Sequence, residues 1–299
     1  MEATKKKMAK AKKNDLIFHL LLLVWPLLQF AVFYVAVNFN SFKLAFEAPT
    51  GGKWTDNFKF VFSSAMFPEV LKSVLTSIEF YVITTVISVP LGLLFAYYIY
   101  KKAKGSKLFR FFLFLPSMIS SMVMVVLFQN MIGLGMFDIL NTDKLLFNIT
   151  ARSSYVWIIV FYIWTNFGTT TLIYSNKMGE LSPETIEAAQ LDGANSIQEF
   201  LYIVLPFAFP TVSVFLVTGI ATIFTNQYNL FSFFGGTIPF DAGTMGYYLF
   251  NMVQDLATNG VFDHVAYNRA AALSLVVTMV VIPVTMGMRF LTEKYGPQE

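Results

Sequence analysis

The sequence predicts an all-α membrane protein with six transmembrane helices. Three observations carry that reading. Of 299 residues, 56 % are hydrophobic and only 13 % charged, and the mean hydropathy is +0.60. A soluble domain carries about 25 % charge, so this chain has roughly half of the usual polar coat. That rules out a water-soluble globule as the first reading and a disordered chain outright. Six long stretches contain no Asp, Glu, Lys or Arg: 16–42, 80–100, 111–137, 153–176, 200–240 and 270–288. Lysine and arginine gather in some of the intervening segments and not in others, which sets an orientation.

A helix needs about 20 apolar residues to cross the hydrocarbon core. Trimmed to that length, the spans are expected at 16–38, 74–100, 110–132, 154–176, 202–228 and 270–289. The first follows a basic head, 1–15, with Lys5, Lys6, Lys7, Lys10, Lys12 and Lys13. Its apolar run is long, contains Pro26 and lacks an A-x-A cleavage site, so it is expected to stay as an uncleaved span rather than a signal peptide. Span two ends against Lys101, Lys102, Lys104, Lys107 and Arg110, which places that loop and the head in the cytoplasm. Glu79 is the one acidic residue inside a proposed span; either it is a functional intramembrane carboxylate or the helix starts later and leaves it at the interface. The fifth stretch is too long for one crossing, at roughly 60 Å of helix. It holds Pro206, Pro210, Gly219 and Gly235–Gly236, and is expected to be helical to about Asn229 and Gly-rich and irregular beyond. Six spans return the tail, 293–299, to the cytoplasm. Outer loops then fall at about 39–73, 133–153 and 230–269, the last carrying His264, Arg269 and a short surface helix over 243–257.

Composition also limits the chemistry. Cysteine is absent, so disulfides, thiolate catalysis and cysteine metal sites are excluded. His19 and His264 are the two histidines, too few for a histidine metal centre. A net charge of +3 gives no reason to expect nucleic acid. No Ser–His–Asp set or paired-carboxylate site suggests catalysis.

The loop at 177–201 is acidic, with Glu180, Glu184, Glu187, Asp192 and Glu199 against Lys177. Ser182 can cap a helix that has Pro183 at its first position and Glu184 beside it. Asp192–Gly193 should end that helix, and Asn195 with Gln198 should open a second through a capping box. A helix–turn–helix is expected, with small residues Ala188, Ala189, Gly193 and Ala194 offering a close approach to a partner backbone.

The spacing in that loop is specific. Glu187-Ala188-Ala189, three residues, Gly193, nine residues, then Ile203 and Leu205-Pro206 resembles the signature of inner-membrane permeases of binding-protein-dependent ABC importers. Asp192-Gly193-Ala194 and Phe200 match as well. The segment 90–120, the Trp54…Asn57-Phe58 patch, and 235–239 with Thr244 and Tyr247-Tyr248 resemble the carbohydrate branch of that family, the maltose- and glycerol-phosphate-type permeases. The likeness covers about 16–292, which would be one six-helix permease domain of the type I importer fold, and within the branch the chain looks like the first subunit of a pair.

The resemblance implies a machine. The loop would dock in a cleft of a cytoplasmic ATPase through Glu187, Ala188, Ala189, Asp192, Gly193 and Ala194. Partners would be a second related permease, two ATP-binding cassette subunits and an extracytoplasmic solute-binding protein, all at a bacterial cytoplasmic membrane. No G-x-x-x-x-G-K-[ST] phosphate loop is present, so ATP would be bound by the partner and no cofactor is expected on this chain.

Polar residues inside spans point to the cargo. Thr218, Thr222, Thr225 and Asn229 fall on one helical stripe of span five, flanked by Asn226, Gln227 and Tyr228. Tyr162, Thr165, Asn166, Thr169 and Thr170 form a similar stripe in span four, and Ser117, Ser120, Ser121, Gln129 and Asn130 lie in span three. Amides, hydroxyls and rings suit a sugar; interhelical hydrogen bonding is the other reading of the same residues. The expected substrate pathway is Tyr162, Asn166, Thr169, Thr222, Asn226, Gln227 and Asn229. The same machine carrying an amino acid or another small polar solute is the alternative. An ion-coupled secondary transporter would need an intramembrane coupling site, for which Glu79 is the one candidate.

Overall fold

The computed structural model describes residues 2–48, 52–132, 153–238, 242–258 and 264–297. The described residues are helical with no strand. Two compact units are distinguished, Met1–Phe62 with Asp263–Leu275, and Ser63–Phe262 with Val276–Glu299.

In the first unit, α1 (Glu2–Gln29) passes through a π-helical stretch, Phe30–Ala36, into α2 (Val37–Phe46). The helix is therefore longer at both ends than the predicted 16–38. Pro26 does not break it, and the backbone widens to π geometry four residues later. A short helix, α3 (Asp56–Val61), follows. Asn57 is fully buried, and its Nδ2 donates to the carbonyls of Ala45 (3.1 Å) and Glu47 (2.9 Å), closing the end of α2. Phe46, Trp54 and Phe58 form one aromatic cluster, with Phe46 and Phe58 centroids 5.1 Å apart. The Lys53 amide and the Lys59 ammonium both donate to the Asp56 carboxylate and hold its pKa below the usual carboxylate range.

The second unit opens with α4 (Phe67–Tyr100), which starts seven residues before the predicted span. The reading in which the helix begins below Glu79 is thus corrected: Glu79 lies in the fourth turn, with an exposed side chain. The third predicted span, 110–132, is not one straight helix. It is α5 (Ser106–Met118) and α6 (Ser121–Asn130), bent by 107°. Ile119 and Ser120 are extended at the break, and Pro116 cannot donate to the preceding turn. The Ser117 hydroxyl donates to the Phe114 carbonyl at 2.7 Å and competes with the ladder there. Next, α7 (Ser153–Met178) agrees with its predicted span to within two residues.

The loop holds α8 (Pro183–Leu191) and α9 (Ser196–Glu199); a π-helical turn, Phe200–Val204, leads into α10 (Leu205–Ala221). The helix ends at Ala221 and not near Asn229. Thr222 and Thr225 turn their hydroxyls onto backbone carbonyls, and Tyr228 and Asn229 are left-handed with φ of 50° and 62°. A short α11 (Leu230–Phe234) and α12 (Met245–Thr258) follow. The expected helix over 243–257 exists, but its first turn is buried and not laid on a surface: the Met245 amide donates to Ser77 Oγ at 2.8 Å. The last helix, α13 (His264–Tyr295), begins before the predicted 270. His264 and Arg269 therefore sit on a helix and not in a loop, and Arg269 stacks 4.0 Å from the Phe60 ring within the first unit. The predicted outer loop 133–153 lies outside the described residues except for Ser153.

Among the described residues, five helices are long and apolar enough to cross a membrane, and the bent α5–α6 pair makes a sixth segment. Within the second unit, one apolar core packs Phe80, Phe128, Phe161, Tyr228, Leu230 and Phe233. A second packs Leu93, Ala96, Tyr174, Met178, Val204 and Ala208. Along α4, α7 and α10 the polar residues fall between these two cores, and a cavity opens there.

Candidate functional site

The cavity measures about 510 Å³ and is lined by α4, α5, α6, α7, α10 and the irregular segment after α10. Of the predicted pathway residues, Tyr162, Asn166, Thr169, Thr222, Asn226 and Asn229 line it. Gln227 does not; it points elsewhere, with its Oε1 buried and unpartnered. Its displacement follows from the end of α10: once the chain leaves helical geometry at Thr222, neighbouring residues no longer share the face that a helix would give them. The stripe of Thr218, Thr222, Thr225 and Asn229 is for the same reason not a helical one.

Asn226 organises the mouth of this segment. Its Nδ2 donates to the Tyr162 hydroxyl at 2.8 Å, and its Oδ1 accepts from the Tyr228 amide at 2.8 Å. Thr244 Oγ1 donates to the Asn226 carbonyl at 3.2 Å. Tyr228 is pinned between rings, 4.7 Å from Tyr162 and 4.9 Å from Phe80, the latter stacked. The left-handed Tyr228 is thus held by contacts on both sides.

The hydroxyls of Thr84, Thr165 and Thr222 bond to carbonyls of their own helices, at 2.6, 3.0 and 3.0 Å. The Thr165 and Thr222 hydroxyls therefore donate within their own helices and not across to another, and all three oxygens remain acceptors toward the cavity. Asn166 and Thr169 are exposed on its wall. Tyr174 lines it with a fully buried ring and a hydroxyl that has no hydrogen-bond partner among the described residues. Sequence reasoning missed the α4 contribution of Tyr81, Thr84, Thr85 and Ser88. Their spacing of three or four was a legible stripe, passed over because apolar neighbours surround it. Tyr81 also ties α4 to α10 through its hydroxyl, 2.9 Å from the Leu216 carbonyl.

The 177–201 loop forms as its residues dictate. The Thr185 amide donates to Ser182 Oγ at 3.3 Å, and Asn195 and Gln198 make the reciprocal capping box. Gly193 has φ +85°, its amide donates to the Gln190 carbonyl, and the Ala194 amide reaches the Ala189 carbonyl. That pair of bonds is a Schellman closure, which requires the left-handed residue. Gly193 is thus needed for its backbone, since a Cβ there would meet nothing within 4 Å. Glu187, Ala188 and Asp192 are exposed; Ala189 and Ala194 are half-buried. Two apolar side chains flank the turn in the open, Leu191 at 89 % and Ile197 at 70 % exposure. Both were missed by attention to the small residues; apolar side chains inside so polar a loop were the available signal. Glu199, one of the acidic residues of the loop, is buried.

These features define a multi-pass helical membrane protein with a polar cavity between two apolar cores and an exposed loop helix. Residues 88–297 match the family of binding-protein-dependent transport system inner membrane components, and the chain belongs to that family. The multiple sugar-binding transport system permease protein MsmF of Streptococcus mutans is 22 % identical over 91 % of this chain and 94 % of its own length. The probable ABC transporter permease protein YesP of Bacillus subtilis is 30 % identical over 87 % and 82 %. Among solved structures, a bacterial ABC transporter involved in the import of the acidic polysaccharide alginate matches with a TM-score of 0.79, at 19 % identity over 96 % of this chain and 99 % of that one. That likeness assigns the fold, a type I importer permease.

Proposed function

We propose that the chain is the membrane permease of an ATP-driven importer that takes up a neutral sugar or oligosaccharide delivered by a binding protein. The cavity carries this reading. Its described lining holds hydroxyls, amides and aromatic rings and no Asp, Glu, Lys, Arg or His. Sugar hydroxyls need donors and acceptors, and a sugar's apolar face stacks on rings. The fold neighbour imports an acidic polysaccharide; a wall without cations favours an uncharged cargo here. Sugar-named relatives agree in kind: MsmF, and the arabinooligosaccharides transport system permease protein AraP of Halalkalibacterium halodurans, 26 % identical over 77 % of this chain and 73 % of its own length.

Energy would come through the 177–201 loop, facing the cytoplasm with both termini. Exposed Leu191 and Ile197 support docking of this loop in a cleft of an ATPase subunit, with Glu187 as its charged anchor. Closure of two such subunits would swing the spans between inward-open and outward-open states as rigid bodies. A second permease would complete the pathway, in the cytoplasmic membrane of a bacterium.

The test is a detergent pull-down with the co-purified proteins identified, followed by reconstitution. Recovery of a second permease and an ATP-binding cassette subunit, with ATP-dependent uptake of neutral sugars, is expected. Glu187→Lys should leave the protein in the membrane and abolish that uptake. Uptake of amino acids but not sugars would replace the cargo. A lone chain active in liposomes without ATP would overturn the machine and make Glu79 the first residue to examine.

A further inference from the structure

Glu199 is 2 % exposed and sits where three elements meet. Its carboxylate accepts from Lys101 Nζ at 2.8 and 3.0 Å, from the Tyr97 hydroxyl at 3.0 Å and from Gln190 Nε2 at 3.3 Å. Tyr97 and Lys101 mark the end of α4, Gln190 lies on the loop helix α8, and Glu199 closes α9 at the start of the chain into α10. Lys101 and Glu199 stand 98 residues apart in sequence, so no local rule brings them together. A buried carboxylate persists only when it is paired and bonded, and here the bonds lead to two other elements, the end of α4 and the loop helix α8.

We propose that Glu199 is a positioning residue that pins the loop helix to the ends of α4 and α10, so that a displacement of α8 moves both spans at once. The inference rests on the importer reading above. Without the pin, α8 is joined to α7 and α10 by short connections and packs Ile186 into the apolar cluster that holds Leu93 and Ala96 of α4, while the Tyr97 hydroxyl still donates to the Ser196 carbonyl of α9 at 3.2 Å. Apolar contact is non-directional and lets α8 slide; a carboxylate that binds an ammonium, a phenol and an amide fixes direction as well as distance.

Two readouts test this. The chain has no cysteine, so spin labels can be placed at Glu184→Cys on α8 and Leu94→Cys on α4 in the full-length protein. The distance between them should be narrowly distributed in the parent and broad in Glu199→Gln and Lys101→Met. In the reconstituted transporter, both variants should still hydrolyse ATP, with sugar moved per ATP reduced on the order of tenfold. The exchanged pair Lys101→Glu/Glu199→Lys should narrow the distance again and recover coupling. Unchanged distances and full coupling in both single variants overturn the pin. Loss of the folded protein in Glu199→Gln and the exchanged pair alike assigns the cluster to folding alone and also overturns it. If the parent transporter moves no sugar with ATP, the importer reading itself has failed, a result visible before any variant is made.

Discussion

The 177–201 loop and the segment from Thr222 to Asn229 are both short, polar connections between helices, yet they are held in different ways. In the loop, the bonds that close α8 and open α9 join residues no more than five positions apart. In the segment, Asn226 is held by Tyr162 and Thr244, 64 and 18 positions away. The caps of the first are a local construction, and among the described residues Glu199 alone carries the loop's side-chain bonds to Tyr97 and Lys101. The second exists because distant residues supply its partners. Changes at the caps of the loop should therefore be felt locally, and changes around the cavity should be felt by the whole second unit.

The strongest way to break this comparison is at Gly168 on α7. A Cβ there would run into the backbone carbonyl of Leu113 on α5. Small residues let membrane helices approach to backbone contact. Gly168→Leu should cost about 3 kcal/mol or more through overpacking, with loss of monodisperse protein in detergent. A variant that purifies with the parent Tm would show that α5 and α7 are not in backbone contact.

Asn226→Ala comes next. It leaves the Tyr228 amide without its acceptor in a residue only 2 % exposed. The expected loss is about 1–3 kcal/mol, read as a lower Tm of the whole protein. Asn226→Asp keeps the acceptor and lets the Tyr162 hydroxyl donate, so it should lose less. Equal losses in the two variants would mean that the amide's donor, not its acceptor, is what matters.

The loop variants should be smaller and confined. Gly193→Val forces a β-branched residue into a left-handed conformation at a cost of about 1–2 kcal/mol. Hydrogen exchange should rise over 183–194 while Tm stays near the parent value. Ser182→Ala removes one cap and should cost about 1 kcal/mol, seen as faster exchange in the first turn of α8 alone. A global fall in Tm for either would erase the distinction between the two regions.

Much of the fold was legible because a bilayer reads composition. Span four was placed within two residues, since it holds no proline to interrupt the helix. Span three was not, because Pro116, Ser117 and Ser120 are each compatible with a straight apolar helix or with a break. The 107° bend is chosen by what the two halves pack against. The cavity was half legible. The α7 stripe sits on an unbroken helix, so helical periodicity applied. Beyond Ala221 the same periodicity was assumed and failed, which is why Gln227 lies off the cavity wall while Asn226 and Asn229 lie on it.

The sequence by itself determined a multi-pass helical membrane protein, the family spacing of its loop, and each cap that shapes that loop. These depend on apolar length and on hydrogen bonds between near neighbours, and both are written in consecutive residues. The tertiary structure alone decided where α10 ends, where the third span breaks, that α4 joins the cavity wall, and that Glu199 is buried on Lys101. Each of those is settled by a partner distant in sequence. A threonine or a carboxylate has several acceptable bonds, and packing selects among them by which partner it delivers.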